Sequence, residues 1–309
     1  MAAGQNRQVK PWMLTNRWFR LTMMALLPWL MPGVAGAEVC AVDDTDRRIC
    51  LPEPARRIAA LSPGATELVW AAGAGDHVVA VVAYSDYPEA AKAVPSVGSH
   101  TRMDLEALVS LRPDLVIGWV TGNPREQLEA LADLGLPVFA IEPRTFEGVS
   151  SAIERLAVLA GTETRGFAEA EAFRQGMAAL RDRYQDAPPV PVFYQVWDEP
   201  LMSVNDEHLI GKVITLCGGR NVFGDLDRLV PRISTEAVLA ADPEAILAGG
   251  MGEENRHWLQ RWAGFPELQA TRQDNLFFVP PSLIQRPTPR MLAGSRLFCE
   301  KLETARARR

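Results

Sequence analysis

The chain has 309 residues, 48% of them hydrophobic and 23% charged, with a formal net charge of −6. That length can house two cores, the apolar share excludes a disordered chain, and the acidic balance argues against a nucleic-acid partner.

The first 37 residues stand apart. Arg7, Lys10, Arg17 and Arg20 bring positive charge without an acid, LTMMALLPWLM is apolar, and VAGA ends on small residues, the pattern of a secretory signal peptide over 1–37 cut after Ala37. Its apolar part is too short for a stable membrane span and Pro28 interrupts it. Val39 denies Cys40 the small preceding residue that a lipid anchor wants. Loss of the four cations takes the net charge from −6 to −10.

All four cysteines follow this segment, and an even number in a secreted chain favours disulfides over metal ligation. Cys40 and Cys50 bracket AVDDTDRRI, which reads as a hairpin with a polar turn within residues 38–56. Cys217 and Cys299 are placed to join a helix end to the last helix, although other pairings remain open on the residues alone.

From Arg57 onward, short apolar runs alternate with helical ones: RIAALSP, TELVWAAGAG, HVVAVVAYSD, MDLEALVSLRPDLVIGW and REQLEALADLGLPVFAIEP. Strands separated by helices imply parallel α/β packing. Residues 146–187 are almost all helix formers, punctuated near Gly161 and Thr162, with Thr164 a candidate cap for the second helix. In that helix Phe167, Ala170, Phe173, Met177, Leu180 and Tyr184 follow a helical period. After APPVP the alternation resumes through VFYQVW, HLIGKVITLCGG, TEAVLAADPEAILAGG and NLFFVPP to a final helix.

The two halves repeat one unit. Leu105-Glu106-Ala107-Leu108 leads to Pro113 and LVIGW; Thr235-Glu236-Ala237-Val238 leads to Pro243 and AILAGG, with seven residues from glutamate to proline each time. The proline ends each helix and a buried strand follows. Two α/β lobes joined by one long helix leave a cleft where strand ends face each other, the default ligand site.

Catalytic motifs find no foothold: GxSxG, GxxxxGK[ST], HExxH and a complete GxGxxG are all absent. His77, His100, His208 and His257 fall at no metal-ligand spacing, so no metal site is expected; His100, in VGSHTRMD, is the one placed on the cleft side of the first lobe. Trp119, Trp197 and Tyr84 each close a predicted strand. Core packing would suit the tryptophans, but three aromatic tips at strand ends favour a flat, apolar ligand that still needs hydrogen bonds. Tyr84 and Trp197 are expected to face each other across the cleft. Arg286, after NLFFVPP, would reach the cleft to donate to an amide or carboxylate, or form a surface ion pair. Glu106 and Glu236 sit just inside helix starts after caps at Asp104 and Ser234, where the helix dipole favours an acid. The repeat also puts one exposed acid on each lobe, as a two-pronged docking surface requires.

RIAALSPGATELVWAAGAGDHVVAVVAYSDYP, LEALVSLRPDLVIGW and LCGGRNVF resemble the Fe/B12 family of periplasmic binding proteins, the carriers that serve ABC importers of cobalamin, haem and ferric siderophores. The resemblance covers nearly the whole chain after the leader. It implies class III architecture over 57–305, with an N-lobe at 57–145, a helical connection with a rigid bridging helix at 146–187 and a C-lobe at 188–305. YSDYP, and cysteines matching Cys217 and Cys299, resemble the cobalamin branch in particular. The implied function is capture of cobalamin (vitamin B12) or a related corrinoid in the periplasm, by a monomer without catalytic cofactor, and delivery to an inner-membrane ABC permease dimer.

By position, Tyr84 resembles a tyrosine that packs on the corrin, Gly64 and Ala65 a close-approach backbone, and Arg286 an arginine at the pocket rim. Glu106 and Glu236 resemble the pair that docks into permease arginines. The pattern departs at His100 and Val230, where tryptophans are usual, and at Ser282, where an aspartate is; Trp197 is placed to supply the missing aromatic surface. A haem or siderophore carrier, with His100 or Tyr84 on iron, is the alternative that the same scaffold allows.

Overall fold

The computed structural model describes residues 1, 4, 5, 8, 38–250, 252, 253 and 256–309. Apart from the first four of these, the expected signal peptide and its cleavage point lie outside the described residues.

The described chain begins with a hairpin of β1 (Val39–Val42) and β2 (Arg48–Leu51), in which Cys40 pairs directly with Cys50 and is disulfide-bonded to it. Its turn is organised by the buried Asp43 carboxylate, which accepts from the Thr45 amide and hydroxyl and from Arg47. Burial opposes that charge, but the donors outweigh it and hold the Asp43 pKa below the usual value.

The first lobe follows as β3 (Ile58–Ala60), α1 (Pro63–Ala71), β4 (Val78–Ala80), a small ribbon of β5 (Gly98–Ser99) with β6 (Arg102–Met103), α2 (Leu105–Ser110), β7 (Leu115–Trp119), α3 (Arg125–Asp133) and β8 (Val138–Ile141). Its sheet is wholly parallel in the order β4-β3-β7-β8. Two helices come next, α4 (Phe146–Ala160) and α5 (Glu163–Tyr184). The second lobe contains β9 (Val190–Gln195), α6 (Leu209–Leu216), β10 (Gly219–Asn221), α7 (Thr235–Ala241), β11 (Ala245–Ala248), α8 (His257–Ala263), α9 (Gln269–Arg272), β12 (Leu276–Phe278), α10 (Pro281–Ile284) and α11 (Met291–Ala307). Its sheet, β10-β9-β11-β12, is also parallel and repeats the order of the first.

The sequence repeat is thus a repeat of topology. In both lobes the first strand lies inside the sheet, flanked by the second and third. In both, the residue after the repeated proline, Asp114 or Glu244, donates its N–H back to the start of the first strand, at Arg57 or Pro191.

The helix α5 joins the lobes mechanically. Its 22 residues span about 33 Å; Ala170, Phe173 and Met177 enter the core of the first lobe, and Leu180 and Tyr184 enter that of the second. A hinge would have to shear a helix packed in both cores. Thr162 precedes this helix, not Thr164, and its hydroxyl donates to Ala72 O at 2.6 Å. Phe167, expected on the buried stripe, is exposed; Gly166 is buried instead, because a Cβ there would lie 2.3 Å from that of Ala157. The glycine lets α4 and α5 approach closely. The disulfide Cys217–Cys299 ties the end of α6 to α11, with both cysteines fully buried. Among the described residues no helix is long and apolar enough to cross a membrane.

Candidate functional site

Parallel strands in both sheets deliver their C-terminal ends to one cleft, where open α/β sheets bind ligands. Its floor encloses about 110 Å³ and is lined from the first lobe by Trp119, Glu142 and Arg144, and from the second by His208, Leu229 and Gln285. That volume is below the roughly 300–1,000 Å³ of pockets that engulf a drug-sized ligand. A broad ligand would therefore lie across the mouth, or part the lobes.

On the first lobe one buried side chain organises the wall. The Asn123 amide nitrogen donates to Leu61 O and His100 O, each at 2.8 Å, and its oxygen accepts from Trp119 N at 2.6 Å. Three loops that end at the cleft are thereby tied together, and the rings of His100 and Trp119 lie 5.8 Å apart. Gly122 is required beneath the indole, since a Cβ there would fall 1.8 Å from Trp119 Cε3.

Tyr84 is 78% exposed and holds a left-handed backbone, φ 65°. That conformation costs a residue with a Cβ about 1–2 kcal/mol. Its carbonyl accepts from Arg286 Nη2 at 3.2 Å, which helps hold it. Trp197 is 42% exposed, donates from Nε1 to Glu199 O at 3.0 Å and lies edge-on to Trp258. Among the described residues no ring contact joins it to Tyr84.

Gly64 and Ala65 open α1. Ser62 caps this helix by accepting from Ala65 N at 3.0 Å, so the Ala65 amide is taken up inside the protein. Gly64 faces the other lobe, and a Cβ built on it would lie 3.9 Å from Pro287.

Of the two roles open to Arg286 in the sequence, the structure shows the ion pair. Its Nη1 donates to Glu67 Oε1 at 2.8 Å and Asp86 Oδ1 at 2.7 Å, both on the first lobe. Thr288 donates to Glu67 Oε2 at 2.7 Å, and Arg290 lies 3.4 Å from Glu67 and stacks over the ring of Tyr87 at 4.2 Å. Glu67, only 3% exposed, is the hub of a clamp that segment 286–290 closes across the lobes. Burial disfavours the Asp86 charge, yet Arg286, and Arg290 beyond it, hold its pKa below the ordinary value. Ser282 is buried between Arg290 Nη2, 2.9 Å from its hydroxyl, and Glu253.

His208, passed over in the sequence as one of the lone histidines, caps α6: its Nδ1 accepts from Ile210 N at 3.1 Å. Burial, then the positive charges of Arg144 and Lys212, lower its pKa to about 4. Sequence offered a signal for Glu67, a single carboxylate in the apolar run TELVWAAGAG. For Asn123 it offered none.

Away from the cleft, Glu106 and Glu236 are exposed in the first turns of α2 and α7. Asp104 accepts from Ala107 N at 2.9 Å and Ser234 from Ala237 N at 3.1 Å, so the two acids occupy equivalent places on the two lobes. The Glu236 carboxylate is held below its usual pKa by its own backbone amide and by Ser234.

Residues 58–283 match the model of a family described as periplasmic binding protein. The chain is 34% identical over 261 residues to the vitamin B12-binding protein of Vibrio cholerae, covering 84% of this chain and 94% of that protein. Among solved structures it superposes on the periplasmic vitamin B12 binding protein BtuF of Vibrio cholerae with a TM-score of 0.74 and 35% identity, over 82% of this chain and 98% of that one. The periplasmic heme-binding protein RhuT of Roseiflexus sp. RS-1 gives a TM-score of 0.72 and 25% identity, over 81% and 99%.

Proposed function

This chain belongs to the periplasmic binding protein family, and from that premise we propose that it carries cobalamin or a close corrinoid through the periplasm to an inner-membrane ABC permease. The observation that carries the choice of ligand is the 34% identity to a vitamin B12-binding protein across 94% of that protein. The cleft agrees with it. A corrin is broad, apolar on its faces and ringed with amides, and it suits exposed aromatics with neutral donors.

Tyr84, Trp119 and Trp197 supply the aromatic surface at three strand ends, and His100 stands beside Trp119. Gly64 and Ala65 allow close approach of the first loop, and Arg286 sets the lobes as a clamp. The protein acts as a monomer and performs no chemistry on its cargo. Because α5 is packed in both cores, capture proceeds with modest closure. Glu106 and Glu236 then engage basic sites on the two permease subunits, the signal peptide having been cut after Ala37.

Calorimetry of the mature protein with cyanocobalamin, cobinamide and hemin tests the reading. Saturable binding of both corrinoids is expected. A second reading, haem, is favoured by His100 at the cleft; a Soret shift with hemin that His100→Ala abolishes, with no corrinoid binding, would replace the first.

A further inference from the structure

The cleft floor holds one imidazole that the strand-end pattern does not single out. The turn before α6 fixes it: Asn205 Oδ1 accepts from the amides of Glu207 and His208, each at 3.1 Å, and Nδ1 of His208 accepts from Ile210 N. A ring nitrogen that accepts carries no hydrogen, so the neutral ring bears its proton on Nε2. Nε2 has no hydrogen-bond partner among the described residues, while the ring lines the cleft.

The charges around it are Arg144 from the first lobe, 3.8 Å from Glu142, and Lys212 from α6, 3.1 Å from Glu207. The two cations oppose a third positive charge. Above about pH 4 the ring is therefore a neutral donor.

We infer that His208 is a specificity-determining residue of this cleft, donating through Nε2–H to an acceptor oxygen on the edge of the bound ligand. The inference rests on the corrinoid reading above. A corrinoid offers two such acceptors, the amide carbonyls around the ring and the phosphodiester of the nucleotide tail. Metal ligation does not fit this tautomer, because a protonated Nε2 has no lone pair to give.

His208→Asn keeps an acceptor for the cap but shortens the side chain away from the cleft; His208→Gln keeps a donor of similar reach. Calorimetry with cyanocobalamin and with cobinamide, which lacks the nucleotide tail, reads the affinity, and thermal melting reads the fold. His208→Asn is expected to melt like wild type and bind about tenfold more weakly, with His208→Gln within about threefold of wild type. Equal loss with both ligands assigns the acceptor to the ring; loss with cyanocobalamin alone assigns it to the tail. Wild-type affinity in His208→Asn for both ligands overturns the inference and leaves the corrinoid reading standing. A wild-type protein that binds neither corrinoid overturns that reading and the inference with it.

Discussion

On the outer face of the first lobe's sheet the core is aliphatic, built from Leu61, Val82, Leu108, Val116, Leu131 and Val138, whereas the second lobe covers its corresponding face with Phe193, Trp258 and Trp262, joined by Phe223 and Phe265. The strand order is the same in both. Each lobe also buries an amide side chain beyond or at the end of an inner strand: Asn123 holds backbone groups of three loops, while Gln195 accepts from Trp262 Nε1 at 2.7 Å and donates to Asp198 at 2.9 Å. A shared topology thus tolerates different packing, provided that the buried amides at the cleft side of each lobe find their own partners.

Removing cross-links one at a time gives the largest contrast between the regions. Cys217→Ser with Cys299→Ser opens a separation of 82 residues, against 10 for the hairpin pair. Loop-closure entropy predicts losses of about 4.5 and about 2.7 kcal/mol respectively, measurable by urea unfolding. Similar losses for the two would show that loop length does not govern their contribution.

The clamp between the lobes comes next. Glu67→Ala leaves Arg286 and Arg290 without their buried partner and should cost about 3 kcal/mol. Chemical denaturation checks the cost, and a change below about 1 kcal/mol would mean that solvent or Asp86 replaces Glu67.

Acid should weaken the second lobe through His208. As pH falls below 6.5 the histidine of the unfolded chain takes up a proton that the folded one refuses until about pH 4, so stability is lost across that window. The full effect is at most about 3 kcal/mol. Melting between pH 7 and pH 4.5 should fall less steeply in His208→Gln than in wild type.

Asn123→Ala deprives Trp119 N, Leu61 O and His100 O of their shared partner and should cost about 2 kcal/mol. Corrinoid affinity should fall with it, because the wall of the first lobe loses its tie; an unaffected Kd would dissociate that wall from binding. The smallest effect on stability belongs to Glu106→Ala with Glu236→Ala, within about 0.5 kcal/mol at each exposed site. Transport assays should nevertheless fail while calorimetry stays unchanged; loss of ligand affinity instead would remove both acids from docking.

Much of the fold was legible along the chain. Alternating runs marked the strands and helices, the Glu106-to-Pro113 and Glu236-to-Pro243 repeat marked two equivalent lobes, and the helix formers of 146–187 marked the bridge. Of the aromatic strand ends, Trp119 lines the cleft floor. The reading failed where a side chain's partner is remote. For Arg286 the chain left a cleft donor and an ion pair both open and could not name its partners, because Glu67 and Asp86 lie 219 and 200 residues earlier. Phe167 looked buried because helical period identifies a stripe and not the close approach of α4 that gives the place to Gly166.

By itself the sequence determined what depends on near neighbours: periodicity, caps at Asp104 and Ser234, proline stops, and the repeated unit that makes two parallel sheets. Only the tertiary structure decided how each polar group near the cleft is employed. Hydrogen bonds and ion pairs act over about 3 Å of space, and no local pattern records that Asn123 meets Leu61, that Glu67 meets Arg286, or that His208 keeps a donor for the cleft.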